Sequence, residues 1–228
     1  MTVVLLHAFP LDERMWRPQL PELADEDALT PNLYDLGGSS MDGWAERLLD
    51  EIEGDLTLVG ASMGGYAALA MARQAHERVR RILLAGARPD PDSDDRRAGR
   101  AATIELIERE GAAGLWENQR DKLFMDNAPA DAVELAREMI LSREVTELVR
   151  AVEAIRDRLG STQVLDEIPV TFAMGAGDLF FPPDEAREFA NRSARAELAV
   201  FDRSRHLPNL EQPEDFNRTL SEFLQSGD

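Results

Sequence analysis

The stretch Leu56-Thr57-Leu58-Val59-Gly60-Ala61-Ser62-Met63-Gly64-Gly65 constrains this chain more than any other. A short apolar run reads as a buried strand and enters a turn of small residues, and residues 66–76 then form an alanine-rich helix. G-x-S-x-G between a strand and a helix holds its serine on a sharp, strained turn, with the hydroxyl projecting above the sheet. Glycines two residues before and two after the serine let strand and helix pass without a Cβ clash. The helix start offers free N–H groups and a positive dipole end beside any developing oxyanion. Ser62 is therefore a candidate nucleophile, and the chain around it a strand–helix repeat.

The rest of the sequence fits that repeat. Residues 3–7 read as a buried strand and 28–33 as a weaker one, interrupted by Pro31. Residues 41–53 have helical spacing through Trp44, Leu48, Leu49 and Ile52, with Asp42 as N-cap and Gly54 beyond the end. Residues 79–85 read as a strand, and strand–helix–strand resumes at 170–174, 184–190 and 196–201 before a closing helix at 213–224. Such alternation implies a parallel sheet with crossover helices. Between the two blocks the character changes. Residues 90–100 are highly charged and read as a loop running into a helix, and 101–110, 130–142 and 144–159 show helical periodicity with no strand between them. The expectation is one α/β core from residues 1–87 and 169–228, with a helical cap at 88–168 inserted between two strands. A chain of 228 residues suits one domain with such an insertion.

A serine nucleophile needs a base, and the chain has three histidines. His76 lies on the helix that follows Ser62, about 20 Å away at the rise of an α-helix. His7 ends the first strand and is followed at once by Ala8-Phe9-Pro10, which suits a loop-shaping role. His206 follows the strand at 196–201, at the carboxyl edge where sites of parallel sheets gather. It is the expected base. The acid is expected between serine and histidine in chain order. Asp178 follows the strand at 170–174 through Gly175-Ala176-Gly177, and would accept the imidazole Nδ1–H. Asp90 is the runner-up, and Asp202 stands too near His206 along the chain. Two N–H donors complete such a site, from Met63 after the serine and from Phe9 in the first loop, because Pro10 has none to give.

These residues resemble the α/β-hydrolase fold superfamily, especially its esterase and enol-lactonase members. His7-Ala8-Phe9-Pro10 resembles the HG-x-P loop, Pro31-Asn32-Leu33-Tyr34-Asp35-Leu36-Gly37-Gly38-Ser39 the PDLRGHGRS segment, and Gly60 to Gly65 the nucleophile elbow. Gly175-Ala176-Gly177-Asp178 is similar to the acid loop, and His206-Leu207-Pro208-Asn209-Leu210-Glu211-Gln212-Pro213 to the histidine loop with its E-x-P. The resemblance implies an α/β-hydrolase fold with a mostly parallel sheet of about six strands, since the family's N-terminal hairpin is missing here. Ala8, Asn32 and Arg205 stand where the family usually has Gly, Asp and Gly.

The implied reaction is acyl transfer from a small ester or lactone to Ser62 and then to water, with no metal and no cofactor. Thioesterase, C–C bond hydrolase and cofactor-free haloperoxidase chemistry share the triad, and a non-enzymatic small-molecule receptor is a further alternative. Trp16, Trp44, Trp116, Phe124, Met125 and Phe180 are the aromatic and Met candidates for an apolar pocket, with core packing as the competing role. Composition narrows the partners. With 44 acidic and 25 basic residues the chain carries a formal charge of −19, which repels nucleic acid and anionic lipid. The absence of cysteine removes disulfides and a thiol nucleophile. No apolar run approaches the roughly 18 residues of a membrane span and no leader is evident, so a cytoplasmic protein is expected. The partner is a small-molecule substrate, and the oligomeric state is not legible.

Overall fold

The computed structural model describes residues 1–225, so the last three residues of the expected core lie outside the described residues. In chain order the elements are β1 (Thr2–Leu6), β2 (Asp27–Leu29), α1 (Met41–Glu51), β3 (Leu56–Ala61), α2 (Met63–Gln74) and β4 (Val79–Ala85). Then come α3 (Asp94–Leu123), α4 (Ala130–Leu141), α5 (Val145–Arg156), α6 (Val164–Glu167), β5 (Val170–Gly175), α7 (Pro183–Ala190), β6 (Ala196–Phe201), α8 (Pro208–Glu211) and α9 (Pro213–Gln225). The six strands form one sheet in the order β2-β1-β3-β4-β5-β6, and every pairing is parallel. This is the expected sheet, with no antiparallel pair among the described residues.

The strand sequences follow from the two-sided burial. β1 and β3 are buried along their whole length, which is why they read as continuous apolar runs rather than alternations. Alternate side chains feed two apolar layers. Val4, Leu6, Leu58, Ile82 and Leu84 join α1 and α2 on one face, and Val3, Leu5, Val59, Leu83 and Ala85 join Trp16, Phe216 and Leu220 on the other. Parallel order brings the carboxyl ends of β1, β3, β4, β5 and β6 to one edge.

Several local readings are corrected. The N-cap of α1 is Ser40, not Asp42: Ser40 has the extended backbone a cap requires, and its hydroxyl accepts the Gly43 N–H at 3.3 Å. Asp42 falls in the first turn and pairs with Arg73. β2 stops at Leu29, short of Pro31, and Asn32 caps a 3-10 turn by accepting the Tyr34 N–H at 3.1 Å. α2 begins at Met63, directly after the serine, rather than at residue 66. The charged stretch at 90–100 is already helical from Asp94, capped by Ser93, and α3 is broken internally at Gly111, where φ is 66° and ψ −162°. No strand interrupts the described residues between β4 and β5. No described helix is long and apolar enough to cross a membrane.

Candidate active site

Ser62 sits between the last residue of β3 and the first of α2, with φ 47° and ψ −110°. It is the only described non-glycine residue at positive φ, a conformation that costs on the order of 1–3 kcal/mol and must be held by its surroundings. The hold is visible: the Ser62 N–H donates to the Ala85 carbonyl at 2.7 Å, and the Tyr66 N–H donates to the Ser62 carbonyl at 3.1 Å. Gly64 lets α2 start against the end of β1, because a Cβ there would collide with the Leu6 carbonyl.

His206 and Asp178 come from the loops after β6 and β5. The His206 Nδ1 lies 2.8 Å from Asp178 Oδ2, with both side chains buried. The other carboxylate oxygen accepts the Phe180 N–H at 2.8 Å and the Phe181 N–H at 3.1 Å. An acceptor-only carboxylate on Nδ1 calls for the proton there and leaves Nε2 to accept. The Phe180 ring packs on the imidazole, with 4.7 Å between centroids. Gly86, after β4, makes room for the pair: a Cβ on it would stand 2.9 Å from His206 Cε1 and 3.2 Å from Asp178 Oδ2.

Ser62 and His206 line one cavity of about 290 Å³, with Phe9, Tyr66, Leu123 and Phe180 on its apolar side. Phe9 lies within a tightly held turn, in which the Leu11 N–H donates to the Ala8 carbonyl at 2.9 Å and the Ala8 N–H to the Met15 sulfur at 3.1 Å. Among the described residues neither the Phe9 nor the Met63 N–H donates to a loop or cap acceptor.

The structure brings together Ser62, His206, Asp178, Phe9, Met63 and Phe180. Of the six pocket candidates only Phe180 lines this cavity, and Trp16, Trp44, Trp116, Phe124 and Met125 do not. Trp16 has no exposed surface and packs near Phe216, 6.3 Å between centroids, while Trp116 and Phe124 are buried in the same apolar layer and do not line the cavity. Full burial gains more for such large apolar groups than a place on a wall. Trp44 belongs to the other layer, its indole N–H donating to the Gly37 carbonyl at 2.7 Å. Asp90 pairs with Arg88 and Arg96, Asp202 is exposed, and the His76 side chain is two-thirds exposed at 65%. His7 is fully buried, its Nε2 accepting the Leu33 N–H at 2.9 Å, and burial drives its pKa down to about 4.

Other residues support the site without having been singled out for it. Glu211 accepts the Met125 N–H at 2.7 Å on one oxygen, and the Ser204 hydroxyl at 2.8 Å and Arg205 N–H at 2.7 Å on the other. Burial pushes its carboxyl up even so. Arg205 turns away from the imidazole and donates to the carbonyls of Asp121 and Phe124 at the end of α3. With the His206 N–H on the Leu123 carbonyl at 3.2 Å, these bonds fasten the histidine loop to α3. Gln19 and Asn209 tie it to the first loop: the Gln19 amide donates to the Asn209 carbonyl at 3.1 Å, and the Asn209 amide to the Met15 carbonyl at 3.1 Å. Glu211 and Asn209 stood in the histidine-loop stretch, so a signal existed; Gln19, whose partner is 190 residues away, had none. Among the described residues no group of three His, Asp or Glu side chains is placed to hold a metal ion.

Residues 3–219 match the alpha/beta hydrolase family. The pimeloyl-[acyl-carrier protein] methyl ester esterase of Aromatoleum aromaticum is 30% identical over 93% of this chain and 94% of its own. The 3-oxoadipate enol-lactonase 1 of Acinetobacter baylyi is 24% identical over 98% and 88%. Among solved structures, a thermophilic esterase from Thermogutta terrifontis superposes with a TM-score of 0.91 at 31% identity, covering 99% of this chain and 90% of that one. The enol-lactonase of Burkholderia xenovorans shares the fold, with a TM-score of 0.84 at 22% identity over 98% and 90%.

Proposed function

The chain belongs to the alpha/beta hydrolase family, and from that premise we propose that it hydrolyses small carboxylic esters or lactones through an acyl-enzyme on Ser62. Its named relatives act on ester-type bonds: a methyl ester esterase and an enol-lactonase. The observation that carries the reading is the buried His206–Asp178 pair, 2.8 Å apart, facing the same cavity as a serine held at positive φ.

Ser62 Oγ attacks the ester carbonyl while His206 Nε2 takes its proton, and Asp178 stabilises the imidazolium that forms. The carbonyl oxygen becomes an oxyanion and accepts the N–H groups of Phe9 and Met63. Collapse expels the alcohol, which receives the proton from His206. Water, deprotonated by the same nitrogen, then attacks the acyl-enzyme and releases the acid and Ser62. Helices α3 to α5 serve as the cap that screens this cavity from bulk water.

A fluorophosphonate probe tests the reading. The expected result is one label, mapped by mass to the Ser62 peptide, absent from Ser62→Ala and slowed at least a hundredfold in His206→Ala. Folded wild-type protein that takes no label overturns it.

A further inference from the structure

The cavity beside Ser62 and His206 has a wall of cations. Arg96, Arg100 and Thr103 come from the first half of α3, Gln119 and Lys122 from the second, and Arg88 from the loop after β4. No aspartate or glutamate lines it, in a chain with 44 acidic and 25 basic residues.

Three of the four cations are engaged. Arg88 meets Asp90 at 2.6 Å and Glu185 at 2.8 Å, and Arg96 meets Asp90 at 2.9 Å. Arg100 meets the fully buried carboxylate of Asp92 at 3.1 Å, which also holds Arg158 at 2.8 Å. These pairs build the wall and leave little charge to offer.

Lys122 is different. It is the only lysine in the chain, and its ammonium donates to the neutral Asn118 amide oxygen at 3.1 Å. Lys122 forms no ion pair among the described residues, so two of its three donors remain for a ligand. The Gln119 side chain, buried against the same cavity, makes no hydrogen bond among the described residues. The place of Lys122 in the last turn of α3 suits a cation through the helix dipole, but a dipole needs no cavity and no absence of carboxylates.

We propose that Lys122, with Gln119 beside it, is an anion subsite that selects small esters carrying a carboxylate on the acyl side. One uncompensated ammonium matches a monoanion with two acceptor oxygens; a phosphate dianion asks for more than one. A cavity of about 290 Å³ lies at the small end of ligand sites, which keeps the acyl chain short. The apolar side, formed by Phe9, Leu123 and Phe180, covers the methylenes between the scissile carbonyl and the charge. The proposal rests on Ser62 esterase chemistry and adds the substrate class.

The test compares the monomethyl esters of succinate, glutarate and adipate with methyl butyrate, valerate and hexanoate, following acid release. For at least one chain length wild-type kcat/KM is expected to favour the carboxylate ester tenfold or more. In Lys122→Gln that ratio falls at least tenfold, mainly through KM, and Lys122→Arg keeps a higher ratio than Lys122→Gln. Free glutarate or adipate is also expected to raise the melting temperature of wild type but not of Lys122→Gln. A ratio near one at every length, or an equal ratio in wild type and Lys122→Gln, overturns the subsite while Ser62 labelling and neutral-ester turnover still stand. If no ester is cleaved and Ser62 takes no label, the esterase reading has failed, and the diacid-induced melting shift alone decides the subsite.

Discussion

His7 directly follows β1 with both ring nitrogens committed to backbone, Nε2 accepting from Leu33 and Nδ1 lying 3.2 Å from the Ala8 carbonyl. It thereby sets the turn that presents Phe9. Only the neutral ring can accept at Nε2, and burial is the chief reason its pKa falls from 6.5 to about 4, with Asp12 and Arg143 acting in opposite directions. The folded pKa is depressed, so the unfolded chain binds the proton first on acidification. The stability His7 contributes is complete above pH 6.5 and is lost as pH falls through about 4. Urea unfolding of wild type is expected to lose on the order of 2–3 kcal/mol more than His7→Gln between pH 7.5 and pH 4.5. Glutamine can still accept from Leu33 and does not titrate, so equal losses in the two proteins would reject the assignment. The placement of Ser62, His206 and Asp178 and the loop-shaping part of His7 were legible because a G-x-S-x-G serine, two of only three histidines and a loop aspartate stood at strand ends in a known order. Glu211 and Gln19 act through backbone partners that only the folded chain supplies.

At the scale of elements, legibility tracked short apolar runs. β3, β4, β5 and β6 end within a residue or two of their expected limits because each is a short apolar run between turn residues. α6 and α8, four residues each, are too short to show a period. α3 was seen only in part, since its two halves bury different faces and no single period spans thirty residues across a break. That break is what folds Arg96, Arg100 and Thr103 toward the same cavity as Gln119 and Lys122. Gly111 takes φ 66° and ψ −162°, a region open essentially to glycine alone, and a Cβ there would meet nothing within 4 Å. Gly111→Ala should therefore cost about 1–3 kcal/mol through backbone strain alone. Gly99, an ordinary helical position on the same element, also has open space, and Gly99→Ala should gain about 0.5–1 kcal/mol. Urea midpoints that move in opposite directions from wild type would bear this out; two shifts of one sign would mean that Gly111 is not the hinge of α3.

For the whole molecule the charge balance was plain from composition, but its distribution was not. Even if every basic residue were paired, 44 − 25 = 19 carboxylates would remain unmatched, and folding brings them closer together. Many of the ion pairs are exposed, such as Arg80 with Asp55 and Arg109 with Glu110, and pairs of that kind contribute little. Net repulsion therefore outweighs surface attraction, and screening it should stabilise the fold. Raising sodium chloride from 10 mM to 1 M shortens the screening length to about 3 Å, and the melting temperature is expected to rise by several degrees. The same salt screens the attraction between Lys122 and a substrate carboxylate, so the preference for carboxylate esters should fall over that range. The two trends have opposite signs because they come from opposite local charge: an acidic exterior, and one cavity with no acid on its wall. A melting temperature that fell with salt would show that paired charges, not unpaired carboxylates, dominate the electrostatics of the folded chain.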